Sequence, residues 1–173
     1  MDSLVHFRLA SVDDASLLSR TRQAVWGATY RGIYPDVWID DYDFAQHLFQ
    51  DEVRIASPGN IVYLAMVGSN CVGYFYFGPP AHGSYKDFRI CLNALYFLPE
   101  YQHCGLGKRA FSIVKAECLR RGEQKFFCGC NLHKHSARGF YEHLGGKVGI
   151  ICGGHENPAE DQLYYEFTIG ENK

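Results

Sequence analysis

Gln102, Gly105 and Gly107 stand at the spacing Gln-x-x-Gly-x-Gly, with Lys108 and Arg109 directly after them. Upstream, the apolar run Leu95-Tyr96-Phe97-Leu98 ends at Pro99. Downstream, Leu106, Ala110, Phe111, Val114 and Cys118 recur at helical spacing. A strand, a short polar loop and a helix start, in that order, can hold a phosphate. Glycine lacks a Cβ, so backbone can close around an anion. The first amides of a helix have no internal partner, and the helix dipole adds about half a positive charge there. Together they form a site suited to a pyrophosphate. Hydrogen bonds to a charged group contribute about 1.5–3 kcal/mol each, so several amides can hold a diphosphate without a metal.

Two other phosphate loops fit less well. A P-loop reads G-x-x-x-x-G-K-[ST], but here Gln102 stands where the first glycine belongs and Arg109 replaces the hydroxyl residue. Gly105-x-Gly107-x-x-Ala110 matches the dinucleotide fingerprint, yet the strand ends well before Gly105. The next strand, moreover, closes on Asn131 rather than on a ribose-binding carboxylate.

The elements that must position this loop can be read from periodicity. Residues 5–9 alternate weakly and suggest a first strand. Ser11, followed three residues on by Asp14, opens a helix over about 13–29. A second helix is expected over about 36–51. Runs 61–67 and 71–77 form a hairpin through Gly68, Ser69 and Asn70. A polar loop spans 81–88, and 90–97 is the third strand of the meander. A helix over 105–121 stops at Gly122. A strand over 125–130, a helix over 135–144 and a strand pair over 148–152 and 162–168 complete a mixed α/β domain covering residues 1–173.

Composition removes several function classes. The chain has 173 residues, 47% apolar and 21% charged, with a net charge of −2. That is one domain's length with an ordinary globular balance. No basic block suggests a nucleic-acid partner. No apolar run of about 18 residues suggests a membrane span. The N-terminus lacks a signal-peptide pattern, and seven scattered cysteines then fit reduced thiols in a cytoplasm. Cys128 and Cys130, with His133, His135 and His143 beyond them, lack the pair spacing of a structural zinc site, so no metal is expected. The 12 tyrosines fit either an aromatic core or a polar cleft.

Gln102-x-x-Gly105-x-Gly107 resembles the [Arg/Gln]-x-x-Gly-x-[Gly/Ala] motif of the GNAT superfamily of N-acetyltransferases. Asn131, Ala137 and Phe140-Tyr141-Glu142-His143-Leu144-Gly145 are similar to a second segment of that family, in the right order. The likeness covers about residues 61–168; the first 60 match in outline, with Trp26 and 30–35 similar to an entry segment of many bacterial members. The resemblance implies a mixed, mostly antiparallel sheet of about seven strands, flanked by about four helices and splayed between the fourth and fifth strands. It implies acetyl-CoA as co-substrate, a small-molecule or peptide primary amine as acceptor, and, as in many relatives, a homodimer. Backbone groups of Tyr96, Phe97 and Leu98 would meet the pantetheine arm as a peptide meets a sheet edge. His103, Cys104, Gly105, Leu106, Gly107, Lys108 and Arg109 would wrap the pyrophosphate, and Gln102 would also bind the cofactor. Asn131 and Ser136 would hold the arm, and Tyr141 would protonate the departing thiolate.

This sequence departs from the family at Lys134, where a second Asn is frequent, and at Gly146, where Phe is frequent. A free alkylamine has a pKa near 10.4, so few molecules are nucleophilic at neutral pH. Many members place a carboxylate base on the strand before the loop; this strand carries Asn93 and no acid from 90 to 98. Water, a backbone carbonyl, His155, Glu156, Tyr30 or Asp40 are left as routes for the proton. The missing acid also keeps a non-catalytic acyl-CoA-binding module as an alternative, with a dinucleotide-binding oxidoreductase a weaker one. Trp26, Tyr30, Tyr34 and Trp38 are candidates for the acceptor pocket or for core. Asp36, Asp40, Asp41 and Asp43 form either an acidic rim for a cationic amine or a solvated helix face.

Overall fold

The computed structural model describes residues 4–80 and 85–170; part of the polar loop expected over 81–88 therefore lies outside the described residues. Seven strands form one sheet: β1 (His6–Leu9), β2 (Ile61–Val67), β3 (Asn70–Gly78), β4 (Cys91–Phe97), β5 (Lys125–Asn131), β6 (Lys147–Cys152) and β7 (Gln162–Thr168). Their order is β1-β2-β3-β4-β5-β7-β6. The pair β4–β5 is parallel and the other pairs are antiparallel.

The period of two decides the faces. In β3, Phe75 and Phe77 enter one core with Leu106, Ala110, Phe111 and Val114 of helix α4 and Tyr141 of helix α5. Tyr74 enters the other, with Leu18 and Val25 of helix α1. Helices α1 (Ala15–Tyr30), α2 (Asp36–Asp40) and α3 (Phe44–Ala56) cover that second face; α4 (Leu106–Arg120) and α5 (His135–His143) cover the first. Asp51 of α3 is fully buried and bonds Ser19, Arg22 and Arg54, which ties α1 to α3. Arg22 also lies 5.4 Å from the centre of the Tyr74 ring.

The helix expected over 36–51 is two helices. Asp43 N-caps α3, its carboxylate accepting from the Gln46 amide at 2.9 Å. The β2–β3 turn is also shorter than expected, because Asn70 already pairs with Val67 and only Gly68, at φ 58°, and Ser69 connect the strands.

One irregularity shapes the site. β4 and β5 pair only at Cys91 with Phe127 and at Leu92 with Cys128. Just beyond, a bulge leaves Asn93 without a partner on β3. From Ala94 onward β4 keeps β3 on one side and has lost β5 on the other, so the expected splay between the fourth and fifth strands is present.

Candidate functional site

The gap between β4 and β5 exposes backbone rather than side chains. Leu98 donates its amide to the Val72 carbonyl of β3 at 2.9 Å. Strand alternation then turns the backbone groups of Leu95 and Phe97 away from β3, into the gap. An unpaired strand edge of this kind accepts an extended, amide-bearing ligand. The Phe97 carbonyl already accepts from the Gln102 side chain at 2.9 Å, which closes the upper end of that edge. The Phe97 ring itself is buried in the core.

The loop after β4 rises directly over this gap. His103 has φ 58° and Gly105 has φ 82°, so the backbone twice enters the left-handed region before α4 begins. Such a path turns successive amides inward. The first helical bond is from Arg109 to the Gly105 carbonyl, at 3.1 Å. The amides of residues 103–108 precede it and, among the described residues, take no backbone acceptor. Gly105 is needed for its dihedral. Gly107 is needed for packing: a Cβ there would sit 2.8 Å from the Phe140 ring of α5. Leu106 is buried in the core and offers only its amide. The Cys104 thiol donates to the Gln102 carbonyl at 3.3 Å. Arg109, expected at the pyrophosphate, reaches instead to the Val5 carbonyl at 3.3 Å and lies 5.0 Å from the centre of the Phe7 ring. Lys108 is exposed at the loop.

Tyr141 of α5 approaches the gap from the α4–α5 face. Its hydroxyl lies beside the Cys128 thiol, with Cys130 and Tyr96 near it. Burial, then the neighbouring thiols, pushes its pKa well above 10, so the phenol keeps its proton. Tyr96 of β4 faces the opposite layer and bonds Tyr30 of α1, hydroxyl to hydroxyl, at 2.6 Å. Ser136 is exposed in the first turn of α5. Asn131 is placed differently from the expectation. It is 2% exposed; its side-chain amide donates to the carbonyls of Pro158 and Ala159, and its side-chain oxygen accepts from the His133 amide. Those bonds use its polar atoms, so Asn131 fastens the β6–β7 loop to the end of β5 instead of presenting an amide to the gap.

That loop and the α1–α2 connection border an open groove of about 510 Å3 lined by residues 31–36, Asn157 and Pro158. Tyr34 lines it and stacks on Tyr30 at 4.2 Å. Trp26 does not; it packs edge-on against Tyr30, Tyr34 and His47, within the α1 core. Arg31 pairs with both Asp36 and Asp40, and Asp43 is spent as a cap, so the acidic cluster is largely neutralised or structural. Among the groups considered for proton removal, Tyr30 is a poor base, because burial raises its pKa far above neutral. His155 donates Nδ1–H to Asp161 at 2.7 Å, and His133 donates Nε2–H to the other Asp161 oxygen at 2.7 Å. These bonds, His133 first, hold the Asp161 carboxyl at about 2. No spacing in the sequence pairs His133 with His155; the β6–β7 loop brings them to one carboxylate. Among the described residues no group of three or more His, Cys, Asp or Glu is placed to hold a metal ion, and no helix is long and apolar enough to cross a membrane.

A family model described as the acetyltransferase (GNAT) family matches residues 25–146. A protein of Thermoplasma acidophilum named spermidine N(1)-acetyltransferase is 26% identical over 146 residues, covering 79% of this chain and 83% of the relative. Among solved structures, the PaiA N-acetyltransferase of the same organism, in complex with coenzyme A, superposes with a TM-score of 0.73 at 21% identity, covering 95% of this chain and 98% of that one. YncA of Salmonella typhimurium, solved with its cofactor acetyl-CoA, superposes with a TM-score of 0.69 at 19% identity, covering 98% and 96%.

Proposed function

The chain belongs to the GNAT family of acetyltransferases, and from that premise we propose that it is a single N-acetyltransferase domain that moves an acetyl group from acetyl-CoA to a primary amine of a small molecule or peptide by direct attack. One observation carries this reading: among the described residues, the edge of β4 beyond Leu92 has no strand partner on the β5 side and runs straight into a loop whose amides at 103–108 take no backbone acceptor. An extended amide-bearing arm that ends in a diphosphate matches both halves of that surface. Acetyl-CoA, when bound, supplies the acetyl carbonyl in activated thioester form.

The chain's own groups then have distinct tasks. The amides of residues 103–108 and the α4 dipole neutralise phosphate charge, with the exposed Lys108 as a point charge beside them. The backbone of Leu95 and Phe97 fixes the arm, and an amide on this edge is the donor available to a carbonyl oxygen that gains charge. Tyr141, protonated at neutral pH, donates its hydroxyl proton to the departing thiolate, which leaves as the free thiol. The acceptor enters through the groove between residues 31–36 and 157–158. His155, with Nδ1–H held by Asp161, leaves Nε2 to take a proton from the amine side. The relative's name supports an amine as acceptor. The test is a broad amine panel with acetyl-CoA, followed by thiol release. Transfer to at least one primary amine is expected; tight coenzyme A binding with no acetylated amine would leave a binding module instead.

A further inference from the structure

Lys134 is the N-cap residue of α5 and is half-buried. Its ammonium donates to the Thr29 carbonyl in the last turn of α1 at 3.2 Å and sits 5.7 Å from the centre of the Tyr30 ring. Neither partner is an anion, and among the described residues no carboxylate pairs with it. Other cations near the site are matched: Arg31 by Asp36 and Asp40, Arg22 and Arg54 by Asp51. A cation at a helix N-terminus also faces the positive end of the dipole. Burial lowers the Lys134 pKa, a sign that the charge lacks solvation. An ammonium held in such a place has two N–H groups to offer an anion that arrives from outside the chain.

Its position limits what that anion can be. On one side lies Cys130, at the open end of β5; on the other, Tyr30 stacks on Tyr34, which lines the groove. Lys134 thus stands between Cys130, at the open end of β5, and the Tyr30–Tyr34 pair beside the groove. With Arg31, Asp36 and Asp40, the charges around this groove cancel, which favours a substrate carrying both signs over a polycation.

We propose that Lys134 binds a carboxylate carried by the acceptor, so that the preferred substrates are amines with a carboxylate close to the amino group, the class of α-amino acids. This rests on the acetyltransferase reading above. The test compares matched pairs, an α-amino acid and its carboxamide, with spermidine as an amine without a carboxylate. Initial rates of thiol release are measured for the wild type, Lys134→Met and Lys134→Arg. The acid and the amide differ in amine basicity, but that difference is the same for all three proteins and cancels. In Lys134→Met the acid-over-amide ratio of kcat/KM falls about tenfold or more, the size of a charge-assisted hydrogen bond. Spermidine does not lose, and Lys134→Arg keeps most of the preference. An unchanged ratio in Lys134→Met overturns the proposal. So does an equal loss for every acceptor, which would put Lys134 at the departing thiolate, or a rise confined to the KM for acetyl-CoA, which would put it at a phosphate. If the wild type acetylates no amine, the transferase reading fails, and thermal shift with the same pairs decides Lys134. Stabilisation by the acid alone, lost in Lys134→Met, upholds the carboxylate site; equal stabilisation by acid and amide removes it.

Discussion

Tyr141 combines a proton it does not easily lose with a place beside the gap where β4 lacks a partner. Replacing it with Phe keeps the ring contacts to Phe140, Tyr165 and Phe167 and removes only the hydroxyl. Tyr141→Phe is expected to lower kcat by about 10²–10⁴-fold. The KM for acetyl-CoA should be nearly unchanged, and stability should change by no more than about 1 kcal/mol, since the ring packing is kept. Steady-state kinetics and urea unfolding check both, and an unchanged kcat would remove Tyr141 as the acid. Gly107 illustrates a different constraint. The motif suggests that it makes room for phosphate, whereas its missing Cβ makes room for the Phe140 ring. Gly107→Ala should therefore destabilise the fold by about 1–3 kcal/mol through overpacking, and adding Phe140→Leu should recover part of the loss. If the second change recovers nothing in urea unfolding, the close contact between α4 and α5 is not the reason for the glycine.

Among the elements, the β6–β7 loop depends most on ionisation. Asp161 lies between His133 and His155, and its folded-state carboxyl is held at about 2, below the ordinary carboxylate range near 4. A depressed pKa contributes stability that is present above the unfolded value and is lost as pH falls through the folded one. The melting temperature should thus drop between about pH 4 and 2. Glu117, held at about 2 by Arg120 and Arg121, adds to the same slope. Asp161→Asn should remove its share of that slope and leave Glu117's; a pH profile identical to wild type would mean that the loop is not held this way. These elements also show what sequence patterns can and cannot disclose. The strands and the Gly105 turn are legible because alternation, proline and glycine act locally. The break between α2 and α3 has a local signal as well, Asp43 three residues before Gln46, but Asp40 and Asp41 just before it mask it. The work done by Asn131 was not legible, since its partners Pro158 and Ala159 are 27 and 28 residues away and meet it only once β5 and β7 pair. Arg109 shows the same: it reaches Val5 and Phe7, a hundred residues upstream.

At the scale of the whole molecule, the sheet is continuous from β1 to β4 and from β5 to β6, and the two parts touch through only two residue pairs of β4 and β5. Contacts on both faces hold the parts together: α4 shares one core with Phe75 and Phe77 of β3 and with Phe126 and Phe167 of β5 and β7, while Lys134, after β5, reaches the Thr29 carbonyl of α1. A sheet braced in this way can keep a gap open without collapsing. The account stands on that gap being the binding surface for acetyl-CoA. Amide hydrogen exchange with and without acetyl-CoA tests it most directly. Slower exchange is predicted at the amides of residues 103–108 and on the open edge of β4 at Leu95 and Phe97. Binding that leaves those amides unchanged and protects another region, or no protection at saturating acetyl-CoA, would contradict it.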